Sequence, residues 1–398
     1  MFALVLALAS GCGDDTEHSG PGGRTPDLSD AYAYLPESPY AADLVGCVDA
    51  RAAPSSCTIA TLPPISRRDS EPDVAAIMEH VVVSHDWMGE RFEAILEEVP
   101  EDLRRVLGGV TAVVIDDDVR PSFYWSLTGA IYIDPRHLWL TPEEEATIGD
   151  EQDYRSGFGS DLSFILFSSY LDEGAPAFAG SAGPNRALED RIPAVAALLF
   201  HEGAHANDFL PPVAVATLRS GETFLETIER LESSRLSRSL AASSPLRSEL
   251  WEGLAEVLYR GEEATASQRG LTAEDVGRAF EPDGGSDPYA YSSQQEDFAM
   301  LFEETMMKYH FDFDRRVGFA TASGDEVTSC ADYEIGWGSL NRIAAAPVAP
   351  RARRVAELVL GDPLDDFFSA LPGTSLLTPG QNLCIEASSP PASALRWM

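Results

Sequence analysis

Positive charge is scarce in this chain. Its 398 residues hold 28 Lys and Arg against 65 Asp and Glu, a formal net charge of −37, and Lys308 is the single lysine. Binding a phosphate backbone needs concentrated Lys and Arg, so nucleic acid is not an expected partner. The same shortage argues against docking on anionic lipid through a basic patch. The acidic excess fits solubility better than a site. There is no P-loop, no GxSxG and no Rossmann glycine fingerprint. No CxxC pair occurs, so a cysteine zinc site is not expected. No internal repeat is visible. What the chain does have is length for one large or two ordinary domains and a 44% hydrophobic fraction, enough for a sizeable core.

Residues 2 to 11, from Phe2 to Gly11, form an apolar run. It is shorter than the about 20 residues a bilayer span needs, and it fits the core of a secretory signal. It ends in Leu8-Ala9-Ser10-Gly11-Cys12, which resembles the bacterial lipobox. The resemblance implies cleavage before Cys12, a lipid on that cysteine and a chain held in the bacterial envelope by the anchor alone. Gly13 follows Cys12, which by resemblance to enterobacterial sorting implies the outer membrane. Residues 13 to 29 are rich in Gly, Pro and Asp and read as a polar tether. The remaining cysteines, Cys47, Cys57, Cys330 and Cys384, are even in number, which in an exported chain suggests two disulfides. Three pairings are possible. The local one, Cys47–Cys57 with Cys330–Cys384, closes the shortest loops and is favoured.

Along the chain, residues 30 to 70 read as an irregular segment around the first cysteine pair, so that 12 to 70 forms a tether and loop ahead of one domain from 71 to 398. Residues 72 to 98 carry helical periodicity, through Val74, Ile77, Met78 and Val81 and then Met88, Phe92, Ile95 and Leu96. Residues 110 to 116 look like a buried strand, and 122 to 134 like a strand pair turning at Leu127-Thr128-Gly129. Helices are expected at 160–171, 193–208, 221–241, 246–260 and 293–309, and short helices with loops in the last hundred residues. The expected fold is α+β and mostly helical, with one small early sheet.

The strongest chemical signal is His201-Glu202-Gly203-Ala204-His205, an HExxH. On a helix, positions i and i+4 share one face, so two imidazoles can hold one zinc ion. The Glu beside the first His can then reach a metal-bound water as general base. Pro193 suits a first helical turn, the run Ala194 to Phe200 is apolar, and Pro211-Pro212 stops the helix. At this composition a chance match is expected in only about 0.01 of chains. The competing reading, two core histidines bonded to backbone, leaves buried polar groups that a metal would satisfy.

These residues resemble the zincin superfamily of zinc metallopeptidases. Asp208, three residues after His205, is similar to an Asp at that place in lethal-factor-type peptidases, which implies a carboxylate orienting His205. No HExxHxxGxxH occurs, so a third histidine ligand is not expected. A glutamate on a later helix is, as in the gluzincins. Gln294 to Phe302 resembles the E-x-F-A-x-x-F segment that carries this ligand in the lethal-factor type, which implies Glu296 as third ligand and Tyr289, seven residues earlier, as oxyanion partner. Periodicity alone leaves Glu296 open, since Ser293 with Glu296 also fits a helix capping box. Glu252 or Glu256 competes as third ligand at a more usual separation, with Asp208, Glu303 and His310 behind. The resemblance spans roughly residues 190 to 310. It implies an exported Zn2+ hydrolase acting on peptide or protein substrates, with Glu202 as base. The alternatives are a zinc-stabilised envelope lipoprotein that binds without turnover, and a scaffold without metal.

Overall fold

A computed structural model describes residues 25–49, 51, 57–67, 72–149, 153–178, 185–323 and 330–383. Cys12 and Cys384 lie outside the described residues. The described residues are α+β, about 47% of them helical, with two small sheets.

The first sheet has the order β1-β2-β3-β5-β4. Its strands are β1 (Tyr32–Ala33), β2 (Val81–Val83), β3 (Val113–Ile115), β4 (Phe123–Trp125) and β5 (Ala130–Ile133). The inner strands β2, β3 and β5 are parallel, and the edges β1 and β4 run antiparallel to them. Val81-Val82-Val83 and Val113-Val114-Ile115 are fully buried β-branched runs, as a parallel sheet covered on both faces demands. The β4–β5 pair turns where expected, with Gly129 in the left-handed region at φ 74°. The helical periodicity of 72–98 is cut in two by β2, into helices Val74–Met78 and Asp86–Glu98. The segment read as irregular holds β1 and a helix, Ala41–Val48, whose Leu44, Cys47 and Val48 pack on the first sheet. The Cys47–Cys57 disulfide is formed there.

The second sheet was not foreseen. It is antiparallel, in the order β10-β9-β8-β6-β7, from β6 (Ile165–Asp172), β7 (Ala175–Pro176), β8 (Asp314–Ala322), β9 (Tyr333–Leu340) and β10 (Ser375–Leu376). Residues 160–171, expected to be helical, supply β6, and the last hundred residues supply β8 and β9. The segment 221–241 forms two helices, Phe224–Leu231 and Leu236–Ser243, rather than one.

Two 18-residue helices run through the middle. The histidine helix, Ile192–Phe209, is buried from Ala194 to Phe209, so it is apolar on every side except where its polar residues find partners. It packs along the glutamate helix, Gln294–Phe311, which is buried from Glu296 to Lys308. Gly203 explains itself by packing: a Cβ there would lie 2.4 Å from Val106 Cγ1. Asn207 donates to the Val106 carbonyl at 2.8 Å and so caps the neighbouring helix Glu101–Val106. Among the described residues no helix is long and apolar enough to cross a membrane.

Candidate metal centre

Position i and i+4 on the histidine helix aim both imidazoles at one point. His201 Nε2 and His205 Nε2 stand 3.2 Å apart. Glu296 reaches the same point from the first turn of the glutamate helix, its Oε2 3.0 Å from His201 Nε2 and 3.3 Å from His205 Nε2. Ser293 caps that helix by accepting the Glu296 amide at 3.1 Å. The capping box is therefore half made, because the Glu296 carboxylate is spent on the histidines and not on the cap.

Three donor atoms thus form a nearly equilateral triangle with edges of 3.0 to 3.3 Å. Zinc–nitrogen bonds of about 2.0–2.1 Å at tetrahedral angles put two ligand atoms about 3.3 Å apart. The triangle has the size of one face of that tetrahedron. The donor set, two imidazole nitrogens and one carboxylate oxygen, is the set of catalytic zinc sites that keep a fourth position open. His201, His205 and Glu296 are the group of described residues able to hold a metal ion, and all three are buried.

The electrostatics follow from that closeness. Burial opposes charge on His201, but the Glu296 and Glu303 carboxylates bonded to it hold its pKa well above the ordinary histidine value. Burial likewise pushes Glu296 up, yet the charges of His205 and His201 and their hydrogen bonds bring it well below the ordinary carboxylate range. His201 and Glu296 each shift toward the charged form that attracts the other.

Glu303 has a different place from the one its spacing allowed. It stands outside the triangle and accepts from the far nitrogen of His201, Nδ1 to Oε2, at 3.0 Å. Its other oxygen takes the Tyr170 hydroxyl from β6 at 2.8 Å. Such a carboxylate fixes the tautomer and orientation of a ligand histidine. The role was legible only as geometry: Glu303 lies seven residues after Glu296, two turns along the same helix face.

The other expected residues divide. Glu202 is fully buried on the histidine helix and its charge acts on His201. Tyr289 lies in a 3-10 turn, Pro288–Tyr291, with its ring stacked 6.3 Å from that of His201 and edge-on to Tyr259 at 4.8 Å. Asp208 is buried, but Oδ1 accepts the Ser237 amide at 2.6 Å, and no hydrogen bond joins it to His205, whose Nδ1 is a buried atom without a partner. Glu252 and Glu256 are exposed on the helix Glu249–Tyr259, and Glu256 pairs with Arg260 at 3.5 Å. His310 pairs with Asp102 at 3.2 Å and stacks on Phe200. None of the last three joins the triangle.

Compared with known proteins, the chain matches no family, no curated protein and no solved structure.

Proposed function

We propose that this chain is a zinc-dependent peptidase of the zincin type, with His201, His205 and Glu296 as metal ligands and Glu202 as general base. The observation that carries the reading is the triangle of two Nε2 atoms and one Oε2, with a buried glutamate next to the first histidine on the same helix. Bound zinc would supply a Lewis acid and a water made acidic enough to ionise near neutral pH. The chain's own part is positioning and proton handling. Glu303 holds the His201 ring through Nδ1, and Glu202 takes and returns the proton of the attacking water. Tyr289, whose ring stacks 6.3 Å from that of His201, would steady developing negative charge on a scissile carbonyl. The N-terminal signal and Cys12 support an exported, lipid-anchored protein meeting peptide or protein substrates in the envelope.

A second reading is favoured by one observation. His201, Glu202, His205 and Glu296 are each at most 2% exposed. A site closed this tightly also suits a structural metal in a binding or scaffold lipoprotein.

Glu202→Gln separates the two. Gln keeps the size of Glu but cannot accept a proton. The expected result is unchanged zinc stoichiometry after dialysis, with cleavage of a mixed peptide library reduced at least about a hundredfold. Undiminished cleavage would end the mechanism. Stoichiometric zinc in a wild-type chain that cleaves nothing would favour the structural metal.

A further inference from the structure

A buried arginine is a costly residue on a strand. Arg315, second in β8, is 8% exposed. Its guanidinium is held from two sides. Nη2 donates to Asp287 Oδ2 at 2.8 Å, and the central carbon lies 4.8 Å from the centroid of the Tyr170 ring. Tyr170 stands directly opposite Arg315 in the β6–β8 pair, so the two side chains share one face of the sheet. Burial opposes the charge of Arg315, but Tyr170, Asp287, Glu303 and Glu304 together hold its pKa above the ordinary value.

A buried ion pair adds little stability over a well-packed apolar pair, because desolvation offsets the attraction. This pair is also incomplete: Arg315 Nε is buried with no hydrogen-bond partner among the described residues. Stability alone does not account for it. Its two contacts instead lead to the metal centre by separate routes. The first runs from Tyr170 through Glu303 to Nδ1 of His201. The second is Asp287, whose Oδ1 accepts the Tyr289 amide at 3.0 Å and so caps the turn Pro288–Tyr291. That turn carries the Tyr289 ring stacked 6.3 Å from His201, and there the two routes meet. A rigid planar guanidinium, seated on a ring and tied to a carboxylate, fixes Asp287 in direction as well as distance.

We propose that Arg315 is a positioning residue for Tyr289: by holding Asp287 it fixes the turn that sets Tyr289 against the His201 ring. Its effect on turnover rests on the peptidase reading, and its effect on the turn does not.

Arg315→Met and Arg315→Lys in the full chain test it. The first readout is hydrogen exchange in the metal-free chain, read by mass spectrometry of fragments covering residues 286–292. In Arg315→Met these amides should exchange at least about tenfold faster, while the histidine and glutamate helices keep their protection, with Arg315→Lys in between. The second readout is turnover of the zinc-loaded chain. In Arg315→Met kcat should fall at least about tenfold with KM within about threefold, the mark of an interaction made in the transition state. Zinc stoichiometry should stay the same, since Glu303 keeps its bond to His201. In a Tyr289→Phe background Arg315→Met should lower kcat no further, because the hydroxyl it positions is gone. If Arg315→Met does not fold, its combination with Asp287→Asn leaves no unpaired buried charge and takes its place. Exchange at the turn equal to wild type, or faster throughout the chain alike, overturns the proposal. So does a loss of kcat that adds in full to that of Tyr289→Phe. A wild-type chain that cleaves nothing, with the turn loosened in Arg315→Met, ends the peptidase reading and supports Arg315 as the residue that holds the turn.

Discussion

His201 and His205 sit one turn apart, yet the two sides of the histidine helix treat them differently. On the side of the glutamate helix and β6, His201 is held through both nitrogens, by Glu296 on one and by Glu303 with Tyr170 on the other. On the side of the helix Leu236–Ser243, His205 meets Glu296 through Nε2 alone, and the nearby Asp208 bonds Ser237 instead. A metal ligand braced from behind keeps its tautomer and direction before the metal arrives. An unbraced one is oriented by packing and by the metal. The comparison assigns the preorganisation of this site to the side built from residues distant in sequence.

Breaking the brace should have the larger effect. Glu303→Gln removes the charge behind His201 and disturbs the Tyr170 hydroxyl. Zinc affinity, measured by competition with a chelator, should fall about 10- to 100-fold, the usual cost of losing such a partner. Tyr170→Phe leaves the carboxylate on His201, and its loss should be smaller than tenfold. Affinity unchanged in Glu303→Gln would mean that the metal alone orients His201.

On the unbraced side, Asp208→Asn should hardly register. Burial pushes the Asp208 carboxyl up, and Asn keeps an oxygen for the Ser237 amide. Zinc affinity within about threefold of wild type is expected, since no hydrogen bond to His205 exists to be lost. A tenfold loss would show that Asp208 turns onto His205 when metal binds, and would make the two sides alike.

The same contrast marks what could be read from sequence. The HExxH helix was legible because its chemistry is local: i and i+4 suffice, with Pro193 and Pro211-Pro212 at its ends. Glu296 was legible through a short motif around it. Glu303 and Tyr170 were not, because their roles need the packing of two helices and a strand. β6 was misread for a physical reason. Its buried residues are Phe167, Tyr170 and Leu171, a spacing of three and four that suits a helix. What makes it a strand is pairing with β8, about 150 residues later in the chain. The two sheets divide in the same way. The β4–β5 hairpin is sequence-local and was expected, whereas the second sheet joins β6 to β8 and β9 across the whole site region.

A third carboxyl on the braced side sharpens the comparison. Glu296 and Glu303 are spent on His201, but Glu304, one residue on, is not. Burial pushes its pKa up to about 8; Arg315 pulls against this, while Asp287 and Glu303 add to it. The ordinary value of the group is 4.5, so the fold favours the protonated form. The stability this group contributes is fully present below pH about 4.5 and is lost as pH rises through about 8. Glu304→Gln carries no such titration, because an amide stays neutral throughout. The variant should therefore melt above wild type at pH 9 and approach it at pH 5. The gap should be about 2–4 °C for each kcal/mol of the removed penalty. Melting both proteins from pH 5 to 9, with and without zinc, measures it. Parallel curves across that range would mean that Glu304 stays ionised in the fold, and that the braced side tolerates three buried carboxylates at once.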